Sequence, residues 1–272
     1  MAVRIPSPGT SVFQAAYACL GCPSPEEKCD AVFRLAEEMD RGRLGFVPTP
    51  VVRRVESPGC PPRPRLVLPK YLPRRSLVTE HGRAAFVHAI AHIEFNAINL
   101  ALDALYRFQD MPRSYYLDWV SVAAEEARHF LMVRERLQQF GYDYGDFDAH
   151  NGLWEMAVRT GDSVIARMAL VPRVLEARGL DVTPAMIRKL RFHGDTKTAD
   201  ILAVILDEEI GHVAIGSRWY RHACTRQNLQ PDRIFPSLVA KYYSGRLQKP
   251  FHLEARRRAG FSESELRALE DV

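Results

Sequence analysis

Along the middle of the chain, apolar residues recur at intervals of three and four over four long stretches. That is the period of a helix, not the alternation of a strand. The pattern predicts helices over about 79–108, 113–140, 153–178 and 195–226. Pro112 ends the first, Gly141 closes the second and Gly179 stops the third, and Asp195 caps the fourth. Thr183-Pro184 reads as the start of a shorter helix ending at Gly194. Upstream, Ser24-Pro25-Glu26-Glu27 opens a helix that runs to Asp40, with Gly42 as its stop. Prolines at 48, 50, 58, 61, 62, 64, 69 and 73 then remove amide donors. They predict an extended arm, with at most an edge strand near Leu66-Val67-Leu68. Residues 228–272 hold short helices, the last opened by Ser262-Glu263-Ser264-Glu265, a capping-box pattern. The expectation is an all-α protein in three parts: a helix and proline-rich arm (1–75), a four-helix bundle (76–227) and a helical extension packed on it (228–272).

Within the apolar stripes some positions are acidic. Glu94 shares its face with Val87, Ile90, Ala91, Ala97, Ile98 and Ala101. Glu126 shares its face with Trp119, Val122, Ala123, Phe130 and Val133, and His129 is the one polar neighbour. Glu209 stands among Leu202, Ile205, Leu206, Val213 and Gly216, again with one histidine, His212. These residues form two near-identical halves. Glu94 precedes Glu126-Ala-Arg-His129 by 32 residues (126 − 94), and Glu176 precedes Glu209-Ile-Gly-His212 by 33 (209 − 176). An unpaired ionised carboxylate in an apolar core costs several kcal/mol, so such acids require cations. Glu-x-x-His offers a carboxylate and an imidazole from adjacent turns of one helix face. Two copies, each with a further Glu, have the make-up of a dimetal site built from four helices. Oxygen-rich ligation with one nitrogen per metal suits iron or manganese better than zinc or copper. One Glu-x-x-His on a helix would ordinarily be a solvated face; the repeat and the apolar surroundings argue otherwise. Glu176 lies close to Gly179, near the end of its helix, and reads either as an exposed acid at a frayed end or as a ligand that a kink at Pro172, one turn before, aims inward; the repeat spacing favours the second.

Other polar groups are weighed against this set. Glu125 shares a face with Asp118, Ser121 and Arg128 and reads as surface. Glu208 lies among aliphatics and reads as partner to a buried Arg or as support for a ligand. His88, His92, Asn96, Asn99 and Asp103 form a polar stripe turned away from Glu94, either wet or covered by the proline arm. Asp103 and Asp200 are candidates to orient a ligand histidine. Arg256-Arg257-Arg258, with Lys249 and His252, is a solvated face or a contact for an anionic substrate.

Composition changes this picture little. Hydrophobic content of 47% and charged content of 26% are ordinary for a chain with a real core. A net charge of +4 neither argues for nucleic acid, tRNA included, nor rules it out. No run reaches the length of an apolar membrane span, so no membrane partner is expected. Residues 1–10 lack the apolar core of a signal peptide. Five cysteines at uneven spacing (Cys19, Cys22, Cys29, Cys60 and Cys224) do not suggest a disulfide framework. A cytoplasmic setting is expected. Cys19-Leu-Gly-Cys22 has zinc-like spacing without a second pair, and ordinary packing is the better reading.

At Glu94, Glu126-xx-His129, Glu176 and Glu209-xx-His212 the chain resembles the diiron members of the ferritin-like superfamily, over about residues 80–225. The phrase from Pro172 to Asp181 resembles a bacterial branch of it catalogued as a domain of unknown function, similar to a tRNA hydroxylase acting on a prenylated adenosine. The resemblance implies a ferritin-like bundle. It implies two iron ions, or manganese or a mixed pair, with Glu94, Glu126 and His129 chiefly on one metal and Glu176, Glu209 and His212 on the other. It further implies an oxidoreductase that activates dioxygen or peroxide to oxidise an organic or tRNA-linked substrate. An external electron donor is then required, since no flavin or nicotinamide fingerprint is visible. Two alternatives stand beside it: a ferroxidase or peroxide scavenger, and a non-enzymatic bundle stapled by metal.

Overall fold

The computed structural model describes residues 10–73, 75–245 and 247–271. Among them the regular structure is helical. Among the described residues, two isolated bridges, Ser11 to Gly45 and Leu66 to Ala149, are the only strand-like pairings. The expected edge strand therefore reduces to a single pairing at Leu66. Residues 1–9, on which the signal-peptide reading rests, lie outside the described residues. The chain forms two compact units, 1–154 and 155–272. The boundary falls between the two halves of the Glu/Glu-x-x-His repeat.

The first unit holds α1 (Val12–Leu20), α2 (Pro25–Asp40), α3 (Glu80–Arg107) and α4 (Arg113–Gln138). The pattern of 3.6-residue periodicity overlooked α1, a helix of nine residues that is apolar on most sides and buries Val12, Phe13, Ala15, Ala16, Cys19 and Leu20. The longer helices begin where cap chemistry predicts. The Ser24 hydroxyl accepts from the Glu27 amide, and Thr79 accepts from Gly82. α3 and α4 pack on each other, and α1 and α2 lie against them. α3 is long and apolar enough to cross a membrane by length and composition, yet most of that stretch is buried within the protein.

The polar stripe of α3 is not wet: His88, His92, Asn96, Asn99 and Asp103 are all buried. The 139–151 connection covers its first half. The Gly145 amide donates to His88 Nε2 at 3.0 Å. His92 Nε2 meets the His150 carbonyl at 3.0 Å, and His92 Nδ1 meets the Tyr144 hydroxyl at 3.0 Å. A carbonyl can only accept, so Nε2 carries the proton and Tyr144 donates to Nδ1. Burial pushes both His88 and His92 down to about 4, which keeps them neutral. Asp103 takes a bidentate Arg107 at 2.7–3.1 Å.

Asn99 is met by a cation. The fully buried Lys28 ammonium donates to Asn99 Oδ1, to the Leu20 carbonyl at 3.1 Å and to the Gly59 carbonyl at 2.9 Å. Three donors thus meet three acceptors, from the end of α1, the proline arm and α3. Burial lowers the Lys28 pKa to about 8, with the surrounding thiols pulling the other way. All five cysteines are free thiols.

The second unit contains most of α5 (Gly152–Arg159), then α6 (Val164–Leu170), a π-helical turn (Val171–Glu176), α7 (Ala177–Phe192), α8 (Thr196–Arg226), α9 (Pro231–Tyr242), α10 (Leu253–Arg258) and α11 (Glu263–Glu270). The stretch 153–178 is not one helix. It breaks at Thr160-Gly161-Asp162, and Ser163 caps α6 by accepting from the Ala166 amide. Gly179 does not stop α7 and Pro184 does not start a new helix; both lie inside it. Packing carries the helix past them, since Ala177 and Leu180 bury against Val213, Ala255 and Phe261. Asp181, one turn on, takes the Arg256 guanidinium at 2.7 and 2.9 Å. That pairing buries Arg256, and Arg257 engages Glu254 and Glu263. The basic triplet is therefore largely structural. The expected stop at Gly194 holds, with φ +78, as does the Asp195 cap on Thr198. The capping box of α11 also forms.

Lys28 supplies a test. In Lys28→Met the three acceptors lose their donor, and a loss of roughly 2–4 kcal/mol in urea unfolding is expected. The sign with pH follows from the lowered pKa. Between about 8 and the unfolded value of 10.5 the unfolded chain binds more protons, so wild type gains stability relative to Lys28→Met as pH rises through that window. Below about pH 8 the difference should be flat.

Candidate metal centre

α3 and α4 bring Glu94, Glu126 and His129 together in the first unit. All three are buried, at 4%, 1% and 0% exposure. His129 Nδ1 lies 3.4 Å from Glu94 Oε2 and 3.4 Å from Glu126 Oε2. One ligand atom from each lies within 4.8 Å of the others. The reason is local. Glu126 and His129 sit three apart on the face of α4 that carries Trp119, Val122, Ala123, Phe130 and Val133, all buried. α3 presents Glu94 from among Val87, Ala91, Ala97, Ile98 and Ala101, also buried. Burial alone would strip the proton from His129. Hydrogen bonding and charge from Glu126 and Glu94 outweigh it and raise the pKa to about 11.

The donor set fits a metal ion. Oxygen and nitrogen donors bind small divalent ions at about 2.0–2.2 Å, so neighbouring donors on one ion stand about 3 Å apart. The 3.4 Å separations of the triad need only a small contraction to reach that. Two buried carboxylates and an imidazole are a combination that could hold a metal ion.

The second unit repeats the theme on α8. His212 is buried, and its Nδ1 lies 3.5 Å from Glu209 Oε1, with Glu209 mostly buried. Leu202, Ile205, Val213 and Gly216 of the same helix are buried around them. Glu176 is half-buried and ends the π-helical turn that Pro172 occupies. The kink expected at Pro172 is thus a π turn, a common way of absorbing a residue that disrupts the hydrogen-bond ladder. Two contacts hold that turn. Gly216 of α8 lies so close beneath it that an added Cβ would come within 2.3 Å of Pro172. Arg173 is buried, with its guanidinium on the Glu265 carboxylate at 2.7 Å and the Ser217 hydroxyl at 3.1 Å. It also stacks over Tyr220, Phe235 and Phe261.

Other candidates go elsewhere. Asp200 is exposed and pairs with Arg191, and Asp103 is engaged by Arg107. Glu125 is half-buried and takes the Ser121 hydroxyl at 3.1 Å. Glu208 is half-buried beside Glu209. Sequence reasoning missed Arg173 as the anchor of the π turn. An arginine between Pro172 and an apolar Val174-Leu175 was a signal that its charge would need a buried partner.

The chain belongs to a protein family described as a protein of unknown function (DUF455), whose profile matches residues 21–267. An uncharacterised protein of Haemophilus influenzae is 42% identical over 274 residues, which is 97% of this chain and 95% of that protein. No solved structure matches.

The tight seat under Pro172 is testable. Gly216→Ala should cost about 1–3 kcal/mol, because overpacking displaces the π turn. Gly211 of the same helix has nothing within 4 Å of an added Cβ. Gly211→Ala should therefore stabilise by about 0.5–1 kcal/mol through helix propensity. Urea unfolding of the two variants checks both signs.

Proposed function

We propose that Glu94, Glu126, His129, Glu176, Glu209 and His212 are the ligands of a pair of metal ions, iron first, in a ferritin-like bundle, and that the protein is an oxidoreductase. When bound, an iron pair held by these residues would supply the activation of dioxygen or peroxide for oxidation of an organic substrate, with electrons from an external donor.

The observation that carries the reading is the buried triad Glu94, Glu126 and His129, whose Nδ1-to-oxygen distances are both 3.4 Å. Support comes from its counterpart Glu209 and His212, on one face of α8 at 3.5 Å. Each residue has a distinct part. Glu94 and Glu126 supply negative charge that favours a cation over a proton. His129 gives up its proton to bind, and one histidine per half limits each metal to one nitrogen donor. Trp119 and Phe130 on α4, and Ile205 and Val213 on α8, are buried apolar neighbours of the donors on their own helices, a setting that limits the access of bulk water. The π turn, pinned by Pro172 on Gly216 and by Arg173 on Glu265, sets the position of Glu176 at its end.

Iron added to purified apoprotein under argon should bind at two ions per chain, measured by elemental analysis after desalting. Glu126→Ala and His212→Ala should each bring this below one. Exposure of the loaded protein to air should give a near-ultraviolet charge-transfer band absent from both variants. Less than one iron per chain in wild type, unchanged by either substitution, would overturn the reading.

A further inference from the structure

The segment joining α2 to α3, residues 41–79, carries nine Lys or Arg and one Glu, a net +8 (9 − 1), in a chain whose total is +4. The remaining residues therefore sum to −4 (4 − 8). Charge is segregated onto this arm. Some of its cations face acids: Arg43 on Glu38, Arg54 on Glu56 and Arg65 on Asp148. Arg53, Arg63 and Lys70 are exposed and have no carboxylate against them among the described contacts.

The same arm exposes apolar side chains. Val47, Val51, Leu68, Tyr71 and Val78 each stand more than half exposed. The turn Pro69–Tyr71 buries none of its residues, and Lys70 lies over the Tyr71 ring at 4.9 Å. This is not loose chain. The Thr49 amide donates to Gln109 at 2.7 Å, the Arg53 amide to the Tyr106 hydroxyl at 2.8 Å and the Val67 amide to the Ala149 carbonyl at 2.8 Å. The backbone is pinned inward while aliphatic and cationic side chains are held outward. Water gains nothing from such an arrangement, since exposed aliphatics are better placed in a core.

We propose that the arm is a docking surface for an anionic lipid membrane. A bilayer interface accepts both halves of the pattern. Aliphatic side chains and a tyrosine enter the headgroup boundary, while Lys and Arg stay with the phosphates. A single-stranded nucleic acid would use the cations but gains affinity by stacking on aromatic rings, and Tyr71 is the arm's one largely exposed ring. The sequence-based expectation of no membrane partner concerned spanning segments, and surface adsorption needs none.

The test uses the full chain with two vesicle types, phosphatidylcholine alone and phosphatidylcholine containing phosphatidylglycerol. Co-sedimentation should favour the anionic vesicles about tenfold or more at low salt, and the preference should fade as salt screens it. Arg53→Glu/Arg63→Glu/Lys70→Glu should abolish the preference. Leu68→Ser/Tyr71→Ser should weaken binding while keeping its salt dependence. Unchanged thermal melts would tie these losses to the surface and not to folding. As a second readout, Tyr71→Trp should gain a blue-shifted emission protected from iodide when anionic vesicles are added. Failure to sediment with anionic vesicles, or an indole still open to iodide, overturns the proposal. So does tight binding of single-stranded RNA, lost in the triple charge variant, at concentrations where vesicles bind nothing.

Discussion

An ionised carboxylate tolerates an apolar core only when positive charge stands beside it. Glu94 and Glu126 are held under that constraint by the helices that carry them, since every neighbour on their faces is apolar apart from His129. The triad answers in part by holding a proton on His129. A proton is the weakest such answer, because it places one positive charge against two carboxylates, whereas a doubly charged ion meets both. The helix faces, the burial and the unusual basicity of one imidazole are therefore one fact seen three ways.

The same demand explains the buried cations outside that triad. Lys28 is met by two carbonyls and an amide oxygen, with no carboxylate in hydrogen-bond reach among the described residues, and burial lowers its basicity. Arg173 and Arg256 instead meet Glu265 and Asp181 and lie against aromatic rings. These groups join pieces distant in sequence. Lys28 ties α1, the arm and α3, and Arg173 ties the π turn to α8 and α11. Each adds directional bonds where apolar packing alone would leave orientation free.

Much of this was legible in the sequence because it is local. Period, caps and proline content located α2, α3, α4 and α8 within a residue or two, and Glu-x-x-His spacing put Glu126 and His129 on one face of α4. What the sequence hid depends on partners far along the chain. Gly179 has the residue type of a helix stop, but Leu180 and Asp181 just beyond it are held by α8 and α10, so the helix continues. The stripe His88, His92, Asn96, Asn99 and Asp103 looks solvated on a helical wheel. It is buried because the 139–151 connection and Lys28 carry matching donors and acceptors, which no periodicity records. The break at Thr160–Ser163 could have been found, since Ser163 precedes an apolar run as a cap does.

The burial of α3 has a consequence for how the chain is made. As α3 leaves the ribosome it is a stretch with the hydropathy of a membrane span, and no partner yet follows it. Its nearest cover, α4, is joined to it through only 108–112 and ends about thirty residues after α3 does. α1 and α2, with Lys28, have been synthesised already and wait upstream. Biosynthesis therefore runs in an order that shortens the interval in which this apolar surface is open to a translocon or to another nascent chain.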